Sequence, residues 1–89
     1  MWIRDRNYLQ QARSSLEQQD YTTARDFIRQ FEATESEHTA ESLWLGIQAE
    51  YPLGNQRAVS GYVEILRTRF PESPQYQSYL ELLGSRMGH

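Results

Sequence analysis

Slid along itself by 34 residues, the chain falls into register with its own pattern of residue sizes. Ala12 lands on Gly46, both small, and Ala24 lands on Ala58. Ile28 lands on Tyr62 and Phe31 on Ile65, all large. A second shift brings Tyr8, Ser42 and Tyr76 together, and likewise Gln11, Leu45 and Tyr79. A period of this length fits a pair of helices with their connections, repeated along the chain. Small residues at 12/46 and 24/58 let the two helices of a unit approach closely. Large residues at 28/62 and 31/65 fill the space against the next unit.

Local patterns supply the helices. Tyr8, Leu9, Ala12 and Leu16 recur at three- and four-residue steps and predict a helix over 3–18, with a stripe thinned by Ser14 and Ser15. Gln18-Gln19-Asp20 reads as a tight connection, with Asp20 as N-cap of a second helix over 21–33 carrying Tyr21, Ala24, Phe27, Ile28 and Phe31. The polar run from Ala33 to His38 predicts a loop. Thr39 then caps a helix over 40–52, with Glu41 near the positive end of its dipole. Leu43, Trp44, Leu45, Ile47, Ala49 and Tyr51 make that helix apolar on more than one side, as expected of a helix packed between neighbours.

Pro52, which lacks an N–H and clashes with the carbonyl four residues back, should stop or kink it. Leu53-Gly54 turns the chain and Asn55 caps a fourth helix over 56–70, with Ala58, Val59, Tyr62, Val63, Ile65, Leu66 and Phe70 inward. Pro71 ends it. Ser73-Pro74 is an N-cap followed by proline at the first helical position, opening a fifth helix over 74–83 with Gly84 as its stop and a loose tail from Ser85 to His89. The fold class is therefore all-α: one domain of two helix-turn-helix units, about 5–38 and 39–72, and a closing helix over 73–84.

A 34-residue period in such units is the tetratricopeptide signature. QQDYTTA, residues 18–24, resembles that family's turn, with Gln19 in place of the usual glycine. A narrower resemblance rests on TAESLWLGI, LGNQRAVSGY and LRTRFPESPQYQ, and above all on Glu41-Ser42-Leu43-Trp44-Leu45-Gly46 followed by Arg69-Phe70-Pro71-Glu72-Ser73-Pro74. These segments resemble the C-terminal repeats of the type IV pilus biogenesis and stability lipoproteins, the PilF/PilW pilotin family. The close match covers somewhat under half the chain, and residues 8–33 match more loosely as the preceding repeat. The resemblance implies a periplasm-facing protein held at the outer membrane by a lipidated N-terminal Cys, helping the pilus secretin reach the membrane and assemble. It also implies further repeats upstream, so the chain reads as a C-terminal fragment of a longer array or as a truncated homologue. Pro52 departs from the pattern expected there.

The composition narrows the function classes. All nine basic residues are Arg, and twelve acids leave a formal charge of −3, which argues against an electrostatic nucleic-acid footprint. There is no Cys for disulfides or thiolate metal sites. No apolar run approaches the roughly 18 residues that suggest a membrane span. His38 and His89 are the only histidines, and neither has a Ser or Cys nucleophile in a recognisable arrangement, so both read as solvent-facing. No glycine-rich loop opens a helix to hold a nucleotide. No catalytic, cofactor or metal residue is assigned.

What remains is a surface for other proteins. Arg6 and Arg13 lie seven residues apart on the first helix, with Leu9 and Leu16 at nearby azimuths. In the repeat register, Arg6, Leu9, Arg13 and Leu16 line a groove from the first unit, and Leu43, Ile47, Glu50 and Tyr51 from the second. Such a groove could hold an extended or helical peptide with a carboxylate gripped by Arg. The alternative is that Leu43 and Ile47 simply pack against the first and fifth helices. Co-chaperone tetratricopeptide domains, which the fold resembles, grip a C-terminal carboxylate with Lys and Asn; here those places hold Leu9, Arg13, Leu43 and Ile47.

Glu32, Glu35, Glu37 and Glu41 read as a solvated acidic loop. Trp2 and Ile3 stand where an upstream unit would adjoin, which predicts self-association or a partner subunit at that end. The reading is a non-enzymatic interaction module of a pilus-assembly protein, with a secretin or another pilus component as partner. A general adaptor repeat and an accessory domain of an enzyme are the alternatives.

Overall fold

The computed structural model describes residues 8–34 and 37–87. Within them the chain is all helix and turn: α1 (Tyr8–Glu17), α2 (Tyr21–Ala33), α3 (Ala40–Leu53), α4 (Gln56–Arg69) and α5 (Pro74–Met87). The all-α expectation and the order of five helices hold. Trp2, Ile3, Arg6, Glu35 and His89, and with them the expected start of the first helix and the self-associating end, lie outside the described residues.

Helices α2 to α5 each start where a side chain can take up an orphan backbone donor. Asp20 Oδ1 accepts from the Thr23 N–H at 3.4 Å, and Asn55 Oδ1 from the Ala58 N–H at 3.4 Å. Thr39 and Ser42 form a reciprocal pair: Thr39 Oγ1 accepts the Ser42 N–H at 3.2 Å, and Ser42 Oγ accepts the Thr39 N–H at 2.7 Å. Ser73 Oγ accepts the Tyr76 N–H at 3.1 Å.

Two expected helix ends move. Pro52 does not stop α3, which runs to Leu53 before Gly54 turns left-handed at φ 79°. In the last turn few hydrogen bonds remain to break, so the proline forfeits only the one its own N–H would have made. Gly84 does not stop α5, which continues to Met87, so Ser85 to Met87 are helix where a loose tail was expected. Its φ is not positive, and a glycine inside a helix costs only about 1 kcal/mol relative to alanine.

The two tight turns are built alike. In the first, the Asp20 N–H donates to the Ser15 carbonyl at 2.9 Å and the Gln19 N–H to the Leu16 carbonyl at 2.9 Å. In the second, the Asn55 N–H reaches the Glu50 carbonyl at 3.1 Å and the Gly54 N–H the Tyr51 carbonyl at 3.1 Å. This is the Schellman pattern, with a left-handed residue at its centre, and the residue after it already caps the next helix. The turns repeat at a spacing of 35 residues, Gln19 to Gly54 and Asp20 to Asn55, whereas the small positions repeat at 34. The second unit therefore holds one more residue before its turn, and Ala58 sits one position nearer its cap than Ala24.

Gln19 has φ 61°, where a side chain costs roughly 1–2 kcal/mol and glycine does not. Gln19→Gly relieves that strain but gives the unfolded chain more freedom. The expected net is a gain of about 0.5–1 kcal/mol, seen as a rise of a few degrees in the thermal midpoint followed by circular dichroism. An unchanged or lower midpoint would count against the turn geometry.

Helix α3 is the centre of the fold and packs on α1, α2, α4 and α5. Its all-round apolarity has a direct use. Leu45 joins Ala12 and Ile28 in one core cluster, while Leu43 and Ile47, about half a turn away, join Leu66 in another. Tyr62 packs against both clusters. A Cβ on Gly46 would stand 2.7–3.0 Å from atoms of the Tyr62 ring, so only glycine fits there as the two side by side now lie.

Candidate functional site

Among the described residues, an open cleft of about 710 Å³ lies across α3, between the end of α1 and the middle of α5. Trp44, Gln48 and Tyr51 form its floor at the four- and three-residue steps that place side chains on one helix face. Leu16 and Tyr21 wall one side, and Glu81 and Leu82 the other. A second hollow shares Leu16, Trp44 and Gln48 and continues past Arg13, Glu17 and Glu41.

The expected groove residues separate on this geometry. Leu16 and Tyr51 line the cleft, and Arg13 lines the adjoining hollow. Leu9 is packed against the first core cluster. Leu43 and Ile47 are 0 % exposed and Glu50 is 2 % exposed, so none of the three lines a surface. They face inward because Gly46 must press against Tyr62, and residues 43 and 50 share its side of α3. Leu43 and Ile47 take the alternative role of core residues, packed with Leu66 of α4 and with Tyr76 and Tyr79 of α5. Trp44 and Gln48, one position along, hold the places expected of Leu43 and Ile47. The expected Arg grip also changes, because Arg13 is ion-paired with Glu41 across α1 and α3.

Glu50 has an interior task. Its Oε1 accepts from Asn55 Nδ2 at 3.1 Å and lies 3.7 Å from Arg25 Nη1, tying α2 to the end of α3. Arg25 Nε is buried without a hydrogen-bond partner.

A second polar cluster joins the units. His38 is not solvent-facing: its side chain is 17 % exposed, with Phe31 at 5.7 Å and Tyr62 at 5.5 Å between ring centroids. Its Nδ1 is 2.8 Å from Ser42 Oγ and its Nε2 is 2.9 Å from Glu32 Oε2, which also accepts from the Tyr62 hydroxyl at 2.8 Å. A carboxylate cannot donate, so Nε2 carries a proton. The Ser–His–Glu connectivity is that of a nucleophile relay, and no sequence spacing announced it. Ser42 cannot serve as the nucleophile: it is 0 % exposed, and its Oγ already accepts the Thr39 N–H in the capping pair. The cluster is a polar clasp between α2, the loop before α3, and α4. Two of the acids expected to be solvated are thus engaged, Glu32 here and Glu41 with Arg13. Among the described residues, no group of three or more His, Asp or Glu could hold a metal ion, and no helix is long and apolar enough to cross a membrane.

Burial, and then the Glu32 carboxylate that accepts its proton, hold the Tyr62 phenol well above its ordinary range. A folded-state pKa above the unfolded value of about 10 contributes stability that is complete below pH 10 and is lost as pH rises toward the folded value. The thermal midpoint is therefore expected to fall from about pH 10 upward, and to fall less steeply in Tyr62→Phe. Equal slopes in the two proteins would remove Tyr62 as the cause. Tyr79, raised by burial, leaves a residual slope in the variant.

No protein-family model, curated protein or solved structure matches the chain.

Proposed function

We propose that the chain is a non-enzymatic interaction module of stacked helical hairpins, arranged as tetratricopeptide units, that holds a polypeptide segment along the cleft on α3. The observation that carries this is the cleft itself. Trp44, Gln48 and Tyr51 line it, an aromatic and amide floor, while the buried Glu50 is tied up with Asn55 and Arg25. Large aromatic surface beside an amide suits a peptide, which brings both apolar side chains and backbone groups to pair.

The segments around Glu41–Gly46 and Arg69–Pro74 support a finer reading: part of a type IV pilus assembly lipoprotein, periplasmic and outer-membrane-associated, with the pilus secretin as its partner. The test is binding of the purified chain to the purified periplasmic region of a type IV pilus secretin, followed by titration calorimetry. Binding that Trp44→Leu weakens supports the reading. Binding that Trp44→Leu leaves unchanged removes the cleft from the interface, and no binding at 100 μM removes the secretin as partner.

A further inference from the structure

The residues of the cleft also say what kind of segment it takes, an inference that rests on the cleft being the binding face. Arg6 and Arg13 in the sequence raise the expectation of a ligand carboxylate. The side chains argue the reverse. Arg13 is already neutralised by Glu41. Among the described residues the only charged one lining the cleft is Glu81, and Glu17 lines the hollow that continues it. Glu81 and Glu17 are exposed, and neither has an ion-pair partner among the described residues. Among the described residues of the two hollows, three carboxylates (Glu17, Glu41 and Glu81) stand against one guanidinium.

Trp44, Tyr21 and Tyr51 all line the cleft. Aromatic faces attract cations, tryptophan most strongly. Pro52, also in the lining, has no N–H to give the Gln48 carbonyl in the turn before it, which adds acceptor rather than donor character to this face. A ligand carboxylate here would meet two unpaired carboxylates and no free cation among the lining residues.

We infer that the cleft takes a protein segment bearing an arginine or lysine side chain flanked by apolar residues, the cation lying against Trp44 and beside Glu81. The apolar flanks cover Leu16 and Leu82, and Glu17 extends the attraction toward α1.

The experiment selects phage-displayed random dodecapeptides on the full chain, synthesises the enriched sequences and measures them by calorimetry and amide chemical shifts. The expected sequences carry Arg or Lys beside apolar residues and shift the amides of Trp44, Gln48 and Tyr51. Their affinity should fall about three- to tenfold in Trp44→Leu. In the double variant Glu17→Gln/Glu81→Gln, whose changed residues are exposed, it should fall about fivefold at 50 mM salt and much less at 500 mM. Acidic or neutral peptides that shift the same amides overturn the cationic ligand and leave the cleft as the binding face. Basic peptides that bind the double variant as well as the parent also overturn it. Peptides that shift only other surfaces, or a selection that enriches nothing, overturn both.

Discussion

Leu43→Ala and Ile47→Ala should each cost roughly 2–5 kcal/mol of unfolding free energy, a large share of what a domain this small possesses. Both side chains are 0 % exposed and stand together with Leu66 in the cluster that joins α3, α4 and α5. Truncation removes buried apolar surface and leaves a cavity that neighbours on three helices cannot easily fill. Urea unfolding followed by circular dichroism reads the loss as a lower midpoint at an unchanged slope. The same measurement separates the two roles available to these positions. A residue that lines a groove loses binding and keeps the fold, whereas these two should lose the fold. Variants as stable as the parent would return Leu43 and Ile47 to the surface.

Arg25→Met should destabilise by about 2–3 kcal/mol, because it leaves the Glu50 carboxylate buried with Asn55 as its remaining hydrogen-bond partner. The figure sits below that for a fully buried pair because the Arg25 side chain is 27 % exposed and the Glu50 side chain only 3 %. Arg25→Met combined with Glu50→Leu should recover most of the loss. The pair is not fully compensated to begin with, since Arg25 Nε has no partner. A double variant less stable than the sum of the two single changes would contradict this account. So would a single variant within 0.5 kcal/mol of the parent.

The starts of α2 to α5 were legible because they depend on short-range chemistry. Asp20, Thr39, Asn55 and Ser73 each cap a helix as their side-chain oxygens predict. The rotation of α3 was harder, because a helix apolar on every side gives its sequence no preferred face. That ambiguity put Leu43, Ile47 and Glu50 in the expected groove, where the cleft holds Trp44 and Gln48 beside the expected Tyr51. One signal could have resolved it. Gly46 aligned with Ala12 marks the side where a neighbour comes closest, and residues three and four away must share that side. The clasp of Glu32, His38, Ser42 and Tyr62 was hidden for another reason: its members come from three helices and a loop, and only the fold brings them together. The 35-residue spacing of the turns was equally concealed, since it depends on which residue turns left-handed rather than on residue type.

The fit of the Tyr62 ring over Gly46 has a consequence for how such a chain can drift over generations. Neither position can change alone in the direction of greater bulk. A lineage that gains a methyl group at 46 must shed volume at 62, and shedding it also gives up the hydroxyl that fastens Glu32. Descendants should therefore show the two sites changing as a pair, with 32 and 38 free to vary only after 62 has.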